Sequence, residues 1–225
     1  KCKGYNFTYV NGSVSFESAL LDAKMQLENE EAMSILVGGV DETSSHTLEL
    51  FKLNNTIKKE ADKPYSVLNS NSKGVVFSEG ASFFVLENVA KSTTYAKVSA
   101  VEIQNSLEEN EVESFVNNFL NRNNTSLNEI DAVVLGVNGD IRYDSFYKAP
   151  KAIFNDLPQI YYKHLSGEFN TSSSFGFWIA CNIVKSQQLA EVLKMNSIPK
   201  SDFGKVLLYN QYQGKDHSLI IIEKC

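Results

Sequence analysis

Long hydrophobic runs and basic clusters are both missing from this sequence of 225 residues. The longest apolar runs, such as residues 83–86 and 219–222, fall far short of the ~20 residues that span a bilayer, so no membrane segment is expected. Lys and Arg number 21 against 27 Asp and Glu, which gives a net charge of −6. Because no basic block is available to neutralise phosphates, nucleic acid is not expected as a partner.

Cysteine is also scarce. The three cysteines, Cys2, Cys181 and Cys225, lie far apart, with no Cys-x-x-Cys pair and no even number to form a disulfide framework. We therefore expect free thiols in a reducing compartment, and hence a cytoplasmic protein. Neither a metal site nor another cofactor is predicted. The first residues include no initiator Met and no apolar signal segment, which predicts a trimmed start and no signal peptide.

What is present is an ordinary globular composition, with 43% hydrophobic and 21% charged residues. The length allows one large domain or two small ones. Apolar residues at helical spacing predict a helix over residues 15–28, preceded by an aromatic and β-branched strand at residues 5–10. The apolar runs at residues 33–37 and 75–86 predict buried strands. Between them, the polar stretch over residues 43–72 predicts a surface excursion.

From residue 95 onward, predicted strands and helices alternate. The strands are expected at residues 97–103, 132–137, 160–164, 206–212 and 218–223. The helices are expected around residues 112–120, 149–154 and 172–194. The last helix is apolar nearly all round in its first half, which is typical of a helix packed on both sides. This alternation, closed by a hairpin, predicts an α/β layered fold with mixed β-sheets.

Two glycine-containing motifs accompany the strands of the first part. Residues 35–42 read Ile-Leu-Val-Gly-Gly-Val-Asp-Glu, and residues 74–87 read Gly-Val-Val-Phe-Ser-Glu-Gly-Ala-Ser-Phe-Phe-Val-Leu-Glu. Neither is followed by the helix that a phosphate-binding loop requires. Taken in order with Lys-His-Leu-Ser-Gly-Glu at residues 163–168 and with the terminal hairpin, they resemble the β-ketoacyl synthases, the condensing enzymes of the thiolase-like fold.

This resemblance covers nearly the whole chain and implies a thiolase-like layered fold built from two similar halves. Residues 1–94 correspond to the closing part of a truncated N-terminal half, and residues 95–225 to a complete C-terminal half, together one compact unit. The resemblance also implies a dimer. The strand that pairs across the family's dimer interface carries Tyr5, Phe7 and Tyr9.

The family's reactive residues are replaced at the matching positions. The nucleophilic Cys, whose thiol pKa the helix N-terminus lowers in the family, falls on Ser13. The two family histidines fall on Asn138 and Glu168, whereas Lys163 matches the family. The Gly-Phe-Gly-Gly loop falls on residues 210–214, of which only the final glycine is retained.

These replacements predict a relative of the condensing enzymes that does not condense. A serine hydroxyl needs a base before it becomes a nucleophile, and neither Asn138 nor Glu168 reproduces two imidazoles that stabilise an enolate or oxyanion. The first hypothesis is a non-catalytic subunit similar to chain-length factors. Such a subunit pairs with an active ketosynthase in fatty-acid, polyketide or polyene-type synthesis, helps to shape the acyl tunnel, and contacts an acyl carrier protein.

Two alternatives stay open. Ser13, with His164 as a nearby base, would make an acyltransferase or hydrolase that acts on acyl-carrier thioesters. A homodimeric structural relative without an acyl partner is the other. The site residues also have structural interpretations, in which Ser13 caps a helix and Lys163 is a buried-edge lysine paired only to hold the fold.

Overall fold

The structure is a computed structural model that describes residues 4–225, so that Cys2 lies outside the described residues. The N-terminal part contains a long helix followed by two paired antiparallel strands. Its elements are α1 (Ser15–Glu28), β1 (Ser34–Asp41), α2 (Ser45–Leu53) and β2 (Gly80–Glu87). Phe16, Leu20, Ala23 and Leu27 are buried on α1. Their helical spacing is the signal that predicted this helix, which the structure confirms.

The C-terminal part is built around a five-stranded mixed sheet. Its elements are β3 (Lys97–Asn105), α3 (Val112–Arg122), β4 (Ala132–Leu135), α4 (Lys148–Ile153), β5 (Gln159–Tyr161), α5 (Lys163–Ser166), α6 (Ser173–Ser186), β6 (Lys205–Tyr212) and β7 (Asp216–Glu223). The strand order is β3-β7-β6-β4-β5. β4 runs parallel to both its neighbours and β7 antiparallel to both of its own. The predicted mixed sheet is confirmed.

Hydrophobic clusters cover both faces of this sheet, because alternate residues of the buried strands point to opposite sides. On one face lie α1 and α6, which also pack against the β1–β2 pair. The ring of Phe16 on α1 lies 5.6 Å from Phe177 on α6 and 5.7 Å from Phe84 on β2. α3 covers the opposite face. α6 is therefore packed on both sides, as predicted. The division of the chain into two halves at residue 94 stays a prediction, and the contact between Phe16 and Phe177 joins the two parts.

The strand predicted at residues 5–10 is absent. Within the described part of the chain, no backbone N–H or C=O of these residues makes a hydrogen bond. Tyr5 and Phe7 are 66% and 61% exposed. An aromatic and β-branched composition favours a strand, but a strand also needs a neighbour to pair with, and residues 5–10 have none in the described part of the chain.

Several other predicted elements have different bounds, and three of these differences have a clear structural reason. α6 ends at Ser186, because Gln187 takes a left-handed conformation (φ 58°) and its side-chain amide donates to the carbonyl of Val184 at 2.6 Å. β2 begins only at Gly80, since the preceding apolar residues form isolated bridges instead of a ladder. β5 ends at Tyr161, and a short helix follows. Among residues 4–225, no helix combines the length and apolar character needed to cross a membrane.

Candidate functional site

Ser13 lies in a 3₁₀ turn directly before α1 and is 4% exposed. Its hydroxyl donates a hydrogen bond to Asp216 Oδ2 at 2.7 Å, at the start of β7. No side chain caps α1 at its N-terminus, so the interpretation of Ser13 as a helix cap is wrong. The acceptor is a carboxylate that sequence reasoning missed, because an Asp next to a predicted hairpin turn is common for local reasons.

No histidine serves Ser13 as a base in the described residues. The ring of His164 stacks on Tyr161, with centroids 3.9 Å apart, and neither of its nitrogens has a hydrogen-bond partner there. His217 is fully buried, and its Nδ1 lies 3.0 Å from the hydroxyl of Tyr209. Burial lowers the pKa of both His164 and His217, so both rings favour the neutral form.

The other three predicted site residues meet in one buried cluster. Asn138 follows β4 and Lys163 follows β5, and since these parallel strands are neighbours, their carboxyl ends meet at the same edge of the sheet. Glu168 lies in the connection from α5 to α6 and points to the same place. Asn138 Nδ2 donates to Glu168 Oε2 at 2.7 Å, and Lys163 Nζ lies 2.8 Å from each Glu168 oxygen. Ser172, which sequence reasoning missed, donates its hydroxyl to Oε1 at 2.9 Å.

These contacts decide what the cluster can do chemically. The amide of Asn138 and the ammonium of Lys163 both donate to Glu168, so that the donors are already engaged by the protein's own carboxylate. Lys163 and Glu168 are each 3% exposed. A substrate oxygen that gains negative charge at this place would meet a carboxylate instead of hydrogen-bond donors, which disfavours an enolate or oxyanion.

The segment before β2 is tied to this cluster. The prediction of a surface excursion over residues 43–72 is wrong at Lys58, which is 5% exposed. Its ammonium donates to Ser70 Oγ at 3.0 Å, Ser72 Oγ at 2.7 Å and the carbonyl of Gly139 at 2.8 Å. This segment therefore covers the turn that carries Asn138. A single lysine in a polar stretch gives no sequence signal of burial, because most such lysines are solvated.

Glu17 is a further buried group that the sequence did not reveal. It lies one turn after Ser13 on α1 and is fully buried, with Oε1 accepting a hydrogen bond from Ser218 Oγ at 2.8 Å. Its Oε2 has no partner in the described residues. Burial raises the pKa of Glu17, and the Ser218 hydroxyl and the charge of Lys163 oppose this shift. A glutamate in the first turn of a helix is common on exposed surfaces, so its burial was not predicted.

The residues that match the family's Gly-Phe-Gly-Gly loop, 210–214, form the end of β6 and the turn after it. Asn210 and Gln211 belong to β6, and the β6–β7 turn follows at Gln213 and Gly214, both with positive φ. The Gln211 side chain accepts the backbone N–H of Gly214 at 3.0 Å, so that this donor is engaged within the hairpin. Across residues 4–225, no group of three or more His, Cys, Asp or Glu side chains is placed to hold a metal ion.

Solved ketosynthase structures have the same fold as this chain. A β-ketoacyl synthase from Burkholderia phymatum STM815 aligns with a TM-score of 0.76 at 17% identity, over 95% of this chain and 60% of that one. The ketosynthase ApeO in complex with its chain length factor ApeC, from Xenorhabdus doucetiae, gives a TM-score of 0.78 at 16% identity, over 97% and 60%. The thiolase-like ketosynthase fold implied by the motifs is therefore confirmed.

A third similar structure is AntDE:AntF, an acyl-carrier protein of a type II polyketide synthase in complex with its ketosynthase. It aligns with a TM-score of 0.78 at 16% identity, over 96% of this chain and 62% of that one. The chain thus spans about three fifths of the length of these ketosynthase structures. No family model matches the sequence, and no curated protein matches it either.

Proposed function

We propose that this chain is a non-catalytic, ketosynthase-like subunit of the chain-length-factor type, which pairs with an active β-ketoacyl synthase in fatty-acid, polyketide or polyene-type synthesis. The observation that carries the proposal is the buried carboxylate of Glu168, which engages Asn138 and Lys163. A condensing site must stabilise negative charge on the substrate. This cluster instead contains a negative charge of its own.

The surroundings of Ser13, which stands at the position of the family's nucleophile, support the same function. Ser13 donates its hydroxyl proton in a hydrogen bond to Asp216, and no histidine ring in the described part of the chain accepts from it. A hydroxyl without such a base is a poor nucleophile toward a thioester. Since the residues for both nucleophilic attack and charge stabilisation are replaced, the contribution of this chain to synthesis is structural: it helps to shape the acyl tunnel and supports the partner's site.

The kind of partner is inferred from what the similar structures contain. ApeO was solved with its chain length factor, and AntDE:AntF contains an acyl-carrier protein with its ketosynthase. We accordingly propose an active ketosynthase as the partner, with a second copy of this chain as the alternative and an acyl carrier protein as a further contact. The free thiols of Cys181 and Cys225 suit the reducing cytoplasm in which we place the protein.

The segment over residues 5–10 is the proposed partner-binding strand. Its unpaired backbone groups can extend a partner's sheet, and its exposed aromatic rings are residues that often dominate binding energy. The double substitution Tyr5→Ser and Phe7→Ser is expected to weaken the complex by about thirtyfold or more. Analytical ultracentrifugation against a ketosynthase from the same organism measures this change.

A matched control uses an apolar residue that is exposed elsewhere. Leu127 is 43% exposed and lies in a 3₁₀ turn before β4. Leu127→Ser is expected to leave the affinity unchanged. Equal affinities for all three proteins would show that residues 5–10 do not form the interface.

Intact-mass spectrometry tests the non-catalytic function itself. The chain is incubated with hexanoyl-coenzyme A or a hexanoyl acyl carrier protein, alone and with the ketosynthase, beside Ser13→Ala. We expect no adduct on this chain, because Ser13 lacks a base, while the ketosynthase becomes acylated. An adduct on the wild type that is lost in Ser13→Ala would instead establish the Ser13-dependent acyltransferase.

A further inference from the structure

Three side chains from separate segments converge on a single carboxylate inside this protein. Asn138 Nδ2, Lys163 Nζ and Ser172 Oγ all donate to the oxygens of Glu168 over distances of 2.7–2.9 Å. All four residues are buried. Charge-assisted hydrogen bonds of this length are typical of carboxylate recognition by proteins. The geometry is thus that of a bound anion, except that the anion is attached to the chain.

The backbone around this cluster is fixed by contacts that do not involve the Glu168 side chain. The backbone of Glu168 is fixed on both sides, because its N–H donates to the carbonyl of Val76 at 2.9 Å and its carbonyl accepts from Ser78 at 3.0 Å. The turn that carries Asn138 is fixed by Lys58 through the carbonyl of Gly139. Removing the glutamate carboxylate would therefore leave the donor groups in place around an anion-sized space.

We propose that Asn138, Lys163 and Ser172 form a carboxylate-binding site, and that the chain fills this site with its own Glu168. In the wild type the site is closed to external anions by this intramolecular contact. Without the glutamate carboxylate, the same donors bind a free small carboxylate. This inference goes beyond the proposed function and concerns the chain alone, so its failure would leave the pairing with a ketosynthase untouched.

Glu168→Ala matches one small ligand closely. The substitution removes a methylene and a carboxylate, whose heavy atoms correspond to those of acetate. It also leaves the Lys163 ammonium buried without a counter-charge, since the Lys163 side chain is 1% exposed. A buried charge that has lost its partner is strongly destabilising, which favours uptake of an anion from solution.

The test is the melting temperature of Glu168→Ala as sodium acetate is titrated against sodium chloride at equal ionic strength. We expect a saturable rise of about 4 °C at tenfold the dissociation constant of acetate. The wild type, whose site is filled, is expected to show no saturable response. If Glu168→Ala is unfolded in chloride, the folded fraction on dilution from urea replaces the melting temperature as the readout, and acetate is expected to restore it.

The control variant carries Lys163→Met together with Glu168→Ala, which removes the cation as well as the anion. We expect it to lose the response to acetate. A saturable response that persists in this variant would place acetate elsewhere and overturn the proposal. An equal response of Glu168→Ala to chloride, or no response to acetate in either readout, would overturn it as well.

Discussion

Lys163→Met is expected to lower the free energy of unfolding by about 3–5 kcal/mol. The substitution keeps the length of the side chain and removes its charge, and it leaves the buried Glu168 carboxylate with Asn138 and Ser172 as its remaining donors. A buried charge without a counter-ion pays a desolvation cost that neutral hydrogen bonds do not fully offset. Urea unfolding followed by circular dichroism measures the change.

Two controls separate the unpaired charge from the loss of packing. Lys163→Met combined with Glu168→Gln removes both charges but keeps a side-chain oxygen to accept from the Asn138 and Ser172 donors, so it is expected to recover most of the stability. Lys97→Met breaks the ion pair with Glu223 at the surface, where the Lys97 side chain is 63% exposed. We expect it to cost less than about 1 kcal/mol. The prediction would be contradicted if Lys163→Met alone and the double variant at residues 163 and 168 lost the same free energy of unfolding.

The sequence predicted the sheet better than the connections between its strands. Strand β4 is apolar throughout, and β6 and β7 each contain a continuous apolar run of four residues, because both faces of their sheet are covered by helices. Their order in the sheet was not predicted, since periodicity carries no information about neighbours; that the sheet is mixed followed from the alternation of strands and helices and from the terminal hairpin. The segment over residues 5–10 shows the same limit: its composition is that of a strand, but composition does not say whether a neighbouring strand is present to pair with it.

The candidate site was predicted only in part. The resemblance to the condensing enzymes implied Asn138, Lys163 and Glu168 as site positions, and the structure brings these three together. The sequence did not reveal Ser172, Asp216 or Glu17, because serines, turn aspartates and first-turn glutamates have common structural roles that give the same local pattern. Their burial results from tertiary packing, which a local pattern does not encode.

Glu17 is a second buried carboxyl group near the site, and its raised pKa makes the stability of the fold depend on pH. Because burial raises its pKa above the ordinary value of 4.5, the folded state holds a proton that the unfolded state has released between these two pKa values. Stability is therefore greatest below about pH 4.5 for this group, and it falls as pH rises through the folded pKa. The loss amounts to about 1.4 kcal/mol for each unit by which folding raises the pKa.

Glu17→Gln removes this proton linkage and keeps the shape of the side chain. We expect the free energy of unfolding of the wild type to decline relative to that of Glu17→Gln as pH rises from 5, as measured by urea unfolding at each pH. Any change in stability that the amide causes independently of pH shifts the whole curve of Glu17→Gln by a constant, so it does not affect the comparison of slopes. Glu113→Gln makes the same charge change at an exposed position on α3 and is expected to give a curve parallel to the wild type. Parallel curves for Glu17→Gln and the wild type would mean that Glu17 is already ionised in the fold at pH 5, with Lys163 outweighing the desolvation of its carboxylate.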